Sequence, residues 1–134
     1  MADRTIRIGK VSSVDYGSGM IKVVYPDLDN SVTDDLPYLT FNDEYKMPKV
    51  GASVLVVHLS NGAAAGIVCG TYWNDVHKPP VSGKNVYRKD LAQAIGEAFL
   101  QYGSGCLTIH APSITLATSS GSITVGEIIK HIKG

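Results

Sequence analysis

The sequence predicts an all-β chain in two parts: a small curved sheet closed into a barrel, then a tail of very short strands. Three observations predict it. Residues 5–73 read as five β segments separated by turns rich in Gly, Pro and Asn, and none of them requires a helix. Residues 103–125, GSGCLTIHAPSITLATSSGSITV, contain three apolar-Thr-apolar triplets: Leu107-Thr108-Ile109, Ile114-Thr115-Leu116 and Ile123-Thr124-Val125. The apolar fraction of 44% marks a packed chain, not a disordered one.

The first strand lies in TIRIGKVSSVDY, residues 5–16. Ile6 and Ile8 alternate, then the phase slips at Val11 and Val14, which predicts a bend or bulge near Gly9–Val11. Gly17-Ser18-Gly19 is a hairpin turn, and Met20–Tyr25 is the returning strand, stopped by Pro26. Residues 26–36 form a polar loop carrying Asp27, Asp29, Asp34 and Asp35, either a solvated loop or an acidic docking surface. Leu36-Pro37-Tyr38-Leu39 regains β character. Val50–His58 is a buried strand, Ser60-Asn61-Gly62 a turn, and Ala63–Trp73 the strand that returns from it. Curving so small a sheet until it closes removes its exposed edges. A five-stranded barrel of OB type fits best, although periodicity alone does not separate it from an SH3-like barrel.

Residues 81–102 admit two readings. Leu91, Ala94, Ile95, Ala98, Phe99 and Tyr102 fall at helical spacing, yet Gly96 interrupts them, and residues 98–109 also read as a hairpin around Gly103-Ser104-Gly105.

The tail needs partners. Burying Leu107, Ile109, Ile114, Leu116, Ile123 and Val125 offsets less than the conformational entropy lost in fixing residues 107–125. The arm therefore docks on the barrel or wraps with identical arms, and the second fits the pattern better. Three copies around an axis each supply a short strand per face. Those six side chains point to the axis, while Thr108, Thr115 and Thr124 point outward by the period of two. Ala111-Pro112-Ser113 and Ser119-Ser120-Gly121 supply the corners. The product is a narrow intertwined β-prism whose backbone bonds run between chains. In residues 125–134 the period changes: Val125, Ile128, Ile129 and Ile132 share a helical face, which suggests a short terminal helix or compact cap.

Composition narrows the function. Twelve basic and twelve acidic residues give zero formal charge, so the basic excess of a phosphate-gripping domain is missing. Cys69 and Cys106 read as small buried or semi-buried thiols, not as a disulfide or metal set. The N-terminal residues have no apolar core for a signal peptide, and no run is long enough to span a membrane. No catalytic constellation or phosphate loop stands out, so neither enzyme activity nor a cofactor is expected. His58 and His110 read as structural. Tyr72 and Trp73 either stack single-stranded nucleic acid or fill the end of the barrel, and the second is preferred because no basic cluster surrounds them.

At this point the chain resembles a known family. The segments IRIGKVSSVDYGSGMIKVVYPDLDN, LPYL, MPKVGASVLVVHLSNGAAAGIVCGTYWND and HKPP follow one another as in the OB domain of the phage baseplate assembly protein V and central tail-spike family, which also serves contractile bacteriocins and injection systems. VYRKDLAQAIGEAFLQYGSGCLTIHAPSITL is similar to the segment where such proteins leave the barrel for a trimeric β-helix, which favours extended structure over residues 84–102. The resemblance implies an OB barrel over residues 1–80, a connecting segment over 81–102 and a trimeric β-helical spike and tip over 103–134. It implies a homotrimer that docks under a baseplate hub and pierces the target cell envelope, with mechanical work and no catalysis. Such a particle is assembled in the bacterial cytoplasm and is extracellular after release. Some family members hold iron at the tip through a His-x-His pair. This chain has none, and His131 is its single candidate ligand, set against an exposed helix-face histidine paired with Glu127. The short prism leaves room for a separate tip protein. The alternative function is an OB-fold nucleic-acid-binding protein.

Overall fold

The computed structural model describes residues 5–59 and 65–134. The chain is mostly β-sheet with one short C-terminal helix, and it divides into two compact units, Met1–Lys78 and Pro79–Gly134. The turn expected at Ser60-Asn61-Gly62 lies outside the described residues.

The first unit is built from β1 (Ile6–Asp15), β2 (Met20–Tyr25), β3 (Ser31–Val32), β4 (Leu36–Pro37), β5 (Ser53–His58) and β6 (Gly66–Thr71). The order is β3–β2–β1–β5–β6, with β4 also on β2. β1 and β2 pair antiparallel across residues 16–19, as the Gly-Ser-Gly turn predicts, and the register slips between Val11 and Ser13. The polar stretch read as a plain loop contains β3. Thr33 anchors it: its amide donates to the Val23 carbonyl at 2.9 Å, and its hydroxyl accepts from the Val23 amide at 3.0 Å.

The core consists of Val11, Ile21, Val23, Tyr25, Leu36, Met47, Val54, Val56 and Val68. Alternation turns Ile6, Ile8 and Leu55 to the opposite face, where they are exposed. Gly9 is required where it stands, since a Cβ there would lie 2.4 Å from Val23 Cγ1 and 2.8 Å from the Tyr25 ring.

The ladders do not form a closed barrel. The strand at one end, β6, is instead met by the residues after β4: Tyr38 makes a parallel bridge to Val68, and the Leu39 amide donates to the Val68 carbonyl at 2.8 Å. Residues 36–39 thus touch both β2 and β6.

His58 is structural in this setting. Its Nδ1 faces the Ala65 carbonyl at 3.4 Å, and because a carbonyl only accepts, Nδ1 carries the proton. Nε2 then accepts from the Tyr25 hydroxyl at 2.6 Å. Burial raises the Tyr25 phenol above its ordinary range; the nearby Arg7 opposes this and Asp27 adds to it.

Trp73 does not fill the end of the sheet. It is 58% exposed and leans on His77, ring centroids 4.7 Å apart. The cause is Asn74, whose side-chain oxygen accepts from the amides of Val76 and His77, both at 2.9 Å, and reverses the chain just after Trp73. The acidic loop pairs with the chain's own bases, Arg7 with Asp27 at 3.8 Å and Lys22 with Asp35 at 3.5 Å, in keeping with a solvated loop.

In the second unit β7 (Tyr87–Asp90), β8 (Phe99–Gly103) and β9 (Cys106–His110) form a three-stranded antiparallel sheet, and β10 (Thr115–Thr118) pairs with β11 (Gly121–Thr124). α1 (Val125–Lys133) follows directly. The hairpin reading of residues 98–109 is the one the structure adopts. Ser104 and Gly105 both take positive φ, 52° and 75°, the geometry of a tight hairpin turn. The helical spacing of residues 91–98 is not realised, since Gly96 sits at φ 88°. These ladders correct the expectation that the tail's backbone bonds run only between chains. Glycine-bearing turns at Ser104-Gly105 and Ser120-Gly121 let each hairpin close within one chain.

Candidate assembly surface of the C-terminal unit

Register and alternation give the β7–β8–β9 sheet two unlike faces. The pairs Tyr87↔Tyr102, Tyr102↔Leu107, Lys89↔Leu100 and Leu100↔Ile109 put Tyr87, Leu100, Tyr102, Leu107 and Ile109 on one face, with Lys89 beside them on β7. In the single chain this apolar face is open: Leu107 is 68% exposed and Ile109 57%.

The opposite face carries Arg88, Asp90, Phe99, Gln101, Thr108 and His110. Here the polar groups satisfy one another. The Arg88 guanidinium donates through Nε and Nη2 to the two Asp90 oxygens, both at 3.1 Å, and through Nη1 to Gln101 Oε1 at 2.7 Å. Its carbon lies 3.7 Å over the Phe99 ring, which stacks in turn on His110 with centroids 5.0 Å apart. Asp90 Oδ1 also accepts from the Gly96 amide at 2.9 Å and so ties down the 91–98 turn.

The β10–β11 hairpin repeats the division. The pair Leu116↔Ile123 sits on one face, with Ile114 and Val125 two residues away on the same side; the Val125 amide donates to the Ile114 carbonyl at 2.8 Å. Thr115 and Thr124 oppose each other on the other face. Leu116 and Ile123 are exposed, whereas Ile114 and Val125 are half-buried.

The helix begins on a complete capping box. Thr124 Oγ1 accepts from the Glu127 amide at 3.0 Å, and Glu127 Oε1 accepts from the Thr124 amide at 2.9 Å and its hydroxyl at 3.0 Å. These bonds hold the Glu127 carboxyl below its ordinary range. Glu127 is thus turned back to the helix start, away from the expected role as partner of His131. Ile129 and Ile132 stand exposed along one side of the helix.

The structure thus gathers Ile114, Leu116, Ile123 and Val125 on one hairpin face, and Leu107 and Ile109 on a separate sheet face. Tyr87, Leu100 and Tyr102, missed in the sequence reading, extend the latter; the alternation of FLQYG was the signal for Leu100 and Tyr102, whereas Tyr87 is placed by the register of β7 on β8. Cys106 is exposed instead of buried, and Cys69 is half-buried. His131 is exposed. Among the described residues no group of three or more His, Cys, Asp or Glu is gathered as for a metal, and no helix is long and apolar enough to cross a membrane.

The decisive property is a contrast between the units. Every buried residue among those described belongs to the first unit, and residues 79–134 bury none. Compared with known proteins, the chain matches no family model and no curated protein.

Proposed function

We propose that three copies of this chain form the central spike of a contractile phage tail, tailocin or related injection-system baseplate. The spike docks under the hub and is driven through the envelope of the target cell. The observation that carries the reading is a C-terminal unit built of short backbone ladders with open edges, mainly apolar on one side of each ladder, and without a single buried residue. A sheet face bearing Leu107, Ile109, Tyr102 and Tyr87 is stable in water when something covers it. Copies of the same face, brought together around an axis, do so without requiring a second gene product.

In this reading the N-terminal unit is an OB-type barrel whose gap between β2 and β6 is spanned by residues 36–39. The C-terminal ladders are the walls of a β-prism. Leu107, Ile109, Ile114, Leu116, Ile123 and Val125 fill its interior, and the Arg88–Asp90–Gln101 network lies on its outer surface. The work is mechanical: apolar packing and inter-copy contact along the whole shaft oppose the sliding of one chain past another under load.

Light scattering on the purified chain tests the proposal. The expected mass is three times the 14.3 kDa of one chain. A monomer with protected amides in residues 99–124 overturns it. Salt-sensitive binding of an oligonucleotide by such a monomer points instead to the nucleic-acid reading.

A further inference from the structure

The trimer reading concerns strands, and the last nine helical residues are a separate matter. α1 spans Val125–Lys133, follows β11 with no intervening loop, and contains no buried residue. A helix of this length is marginal in water by itself, capping box included. Yet its aliphatic residues are concentrated on one side. At 100° per residue Val125, Ile128, Ile129 and Ile132 fall within an arc of about 100°. Gly126, Glu127, Lys130, His131 and Lys133 occupy the rest. Val125 and Ile128 are half-buried, while Ile129 is 51% exposed and Ile132 74%, so the distal part of that arc is open in the single chain.

Two features indicate what does. The first is continuity. Val125 belongs to both structures: its amide closes the β10–β11 ladder on the Ile114 carbonyl, and its side chain begins the helical stripe. The apolar face of Ile114, Leu116, Ile123 and Val125 therefore passes directly into Ile128, Ile129 and Ile132. Whatever packs on the hairpin face reaches the helix as well, and the Thr124–Glu127 box holds the helix start rigidly to the strand end. The second is side-chain shape. The stripe is made entirely of β-branched residues at spacings of three and four. β-Branched residues at both seam positions shift parallel helices from pairs towards higher-order association, trimers among them.

We propose that the terminal helices of three copies associate in parallel and close the end of the shaft with a plug of Ile128, Ile129 and Ile132. This rests on the trimeric reading and extends it to the tip. In this register His131 stands about 110° from the middle of the stripe, so its three copies sit on the flanks of the plug and not on the axis. The tip is then an aliphatic closure, and the six lysines contributed by Lys130 and Lys133 of three copies form a basic collar around it.

Hydrogen exchange on the full-length assembly provides the test, with light scattering on the same sample. The expected result is a trimeric mass with the amides of residues 129–133 slowed about a hundredfold or more relative to free peptide. A trimeric mass with those amides exchanging at the free-peptide rate overturns the plug and leaves the spike standing. A monomeric mass overturns both. A second measurement uses Ile132→Cys, with Lys130→Cys as comparison, each in a Cys69→Ser/Cys106→Ser background. Mild oxidation should link copies through position 132 and much more slowly through position 130; equal rates overturn the plug.

Discussion

Arg88 grips Asp90 with two hydrogen bonds of 3.1 Å on the same strand, two residues along, and the pair is well shielded in an otherwise open unit: the side chains are 13% and 8% exposed. Asp90 in turn holds the Gly96 amide, so one carboxylate organises both the strand and the turn after it. Asp90→Ala leaves the guanidinium without its main partner and frees the 91–98 turn. The expected cost is about 2 kcal/mol, below that of a fully buried pair because some water reaches the site. Chemical denaturation reads the total, and faster exchange of the Gly96 amide reads the local effect.

Ile114→Asp places a carboxylate on the apolar face of the β10–β11 hairpin. In the trimer this puts like charges at one axis, and assembly should be lost, leaving a monomer by light scattering. An unchanged oligomeric mass shows that this face does not meet its copies.

Gly9→Ala brings a methyl group against Val23 and the Tyr25 ring inside the first unit. Overpacking of this kind costs about 1–3 kcal/mol, and urea denaturation should show a lower midpoint with the oligomeric mass retained.

Tyr25→Phe removes the hydroxyl that donates to His58 Nε2 and leaves a half-buried acceptor unpaired, at a cost of about 1 kcal/mol. The same bond sets an alkaline limit. Burial raises the Tyr25 phenol in the folded state, so the unfolded chain loses its proton first. That contribution to stability is fully present below the ordinary tyrosine range and declines as pH rises through the folded value. Spectrophotometric titration at alkaline pH should find one phenol lost from the late part of the wild-type curve in the variant.

Glu127 gives the opposite sign. Its carboxyl is depressed by the bonds from Thr124, so the cap's contribution is present above the ordinary carboxylate range and is lost as pH falls through the lowered folded value. Amide protection in α1 should fall on acidification from about pH 7 to about pH 3. Glu127→Gln keeps an acceptor oxygen and should remove most of that dependence.

Much of the first unit was legible in the sequence because its signals are local. β1 and β2 announce themselves by alternation and by the Gly17-Ser18-Gly19 turn between them. β3 is invisible at this level, since two residues have no period and the strand exists through Thr33 bonding to Val23. Trp73 was misread because its exposure depends on the Asn74 side chain, a turn signal easily outweighed by the expectation that a large aromatic is buried. Residues 91–98 have a helix's spacing, and the contest was decided by Asp90 binding the Gly96 amide, a contact between a strand end and a loop that periodicity does not contain. In the tail, the division between Thr and aliphatic faces followed from the triplets. The aromatic contribution of Tyr87 needed the register of β7 on β8, which residue spacing does not supply.

The lack of any interior in residues 79–134 has a kinetic corollary for biosynthesis. The first seventy-odd residues contain their own core, so on the proposed reading their folding is unimolecular and should not depend on how many sister chains are present. Completion of the remainder is an encounter process on the proposed reading, so its half-time shortens as expression rises. Until that encounter, a protease meets a folded head with a cleavable tail.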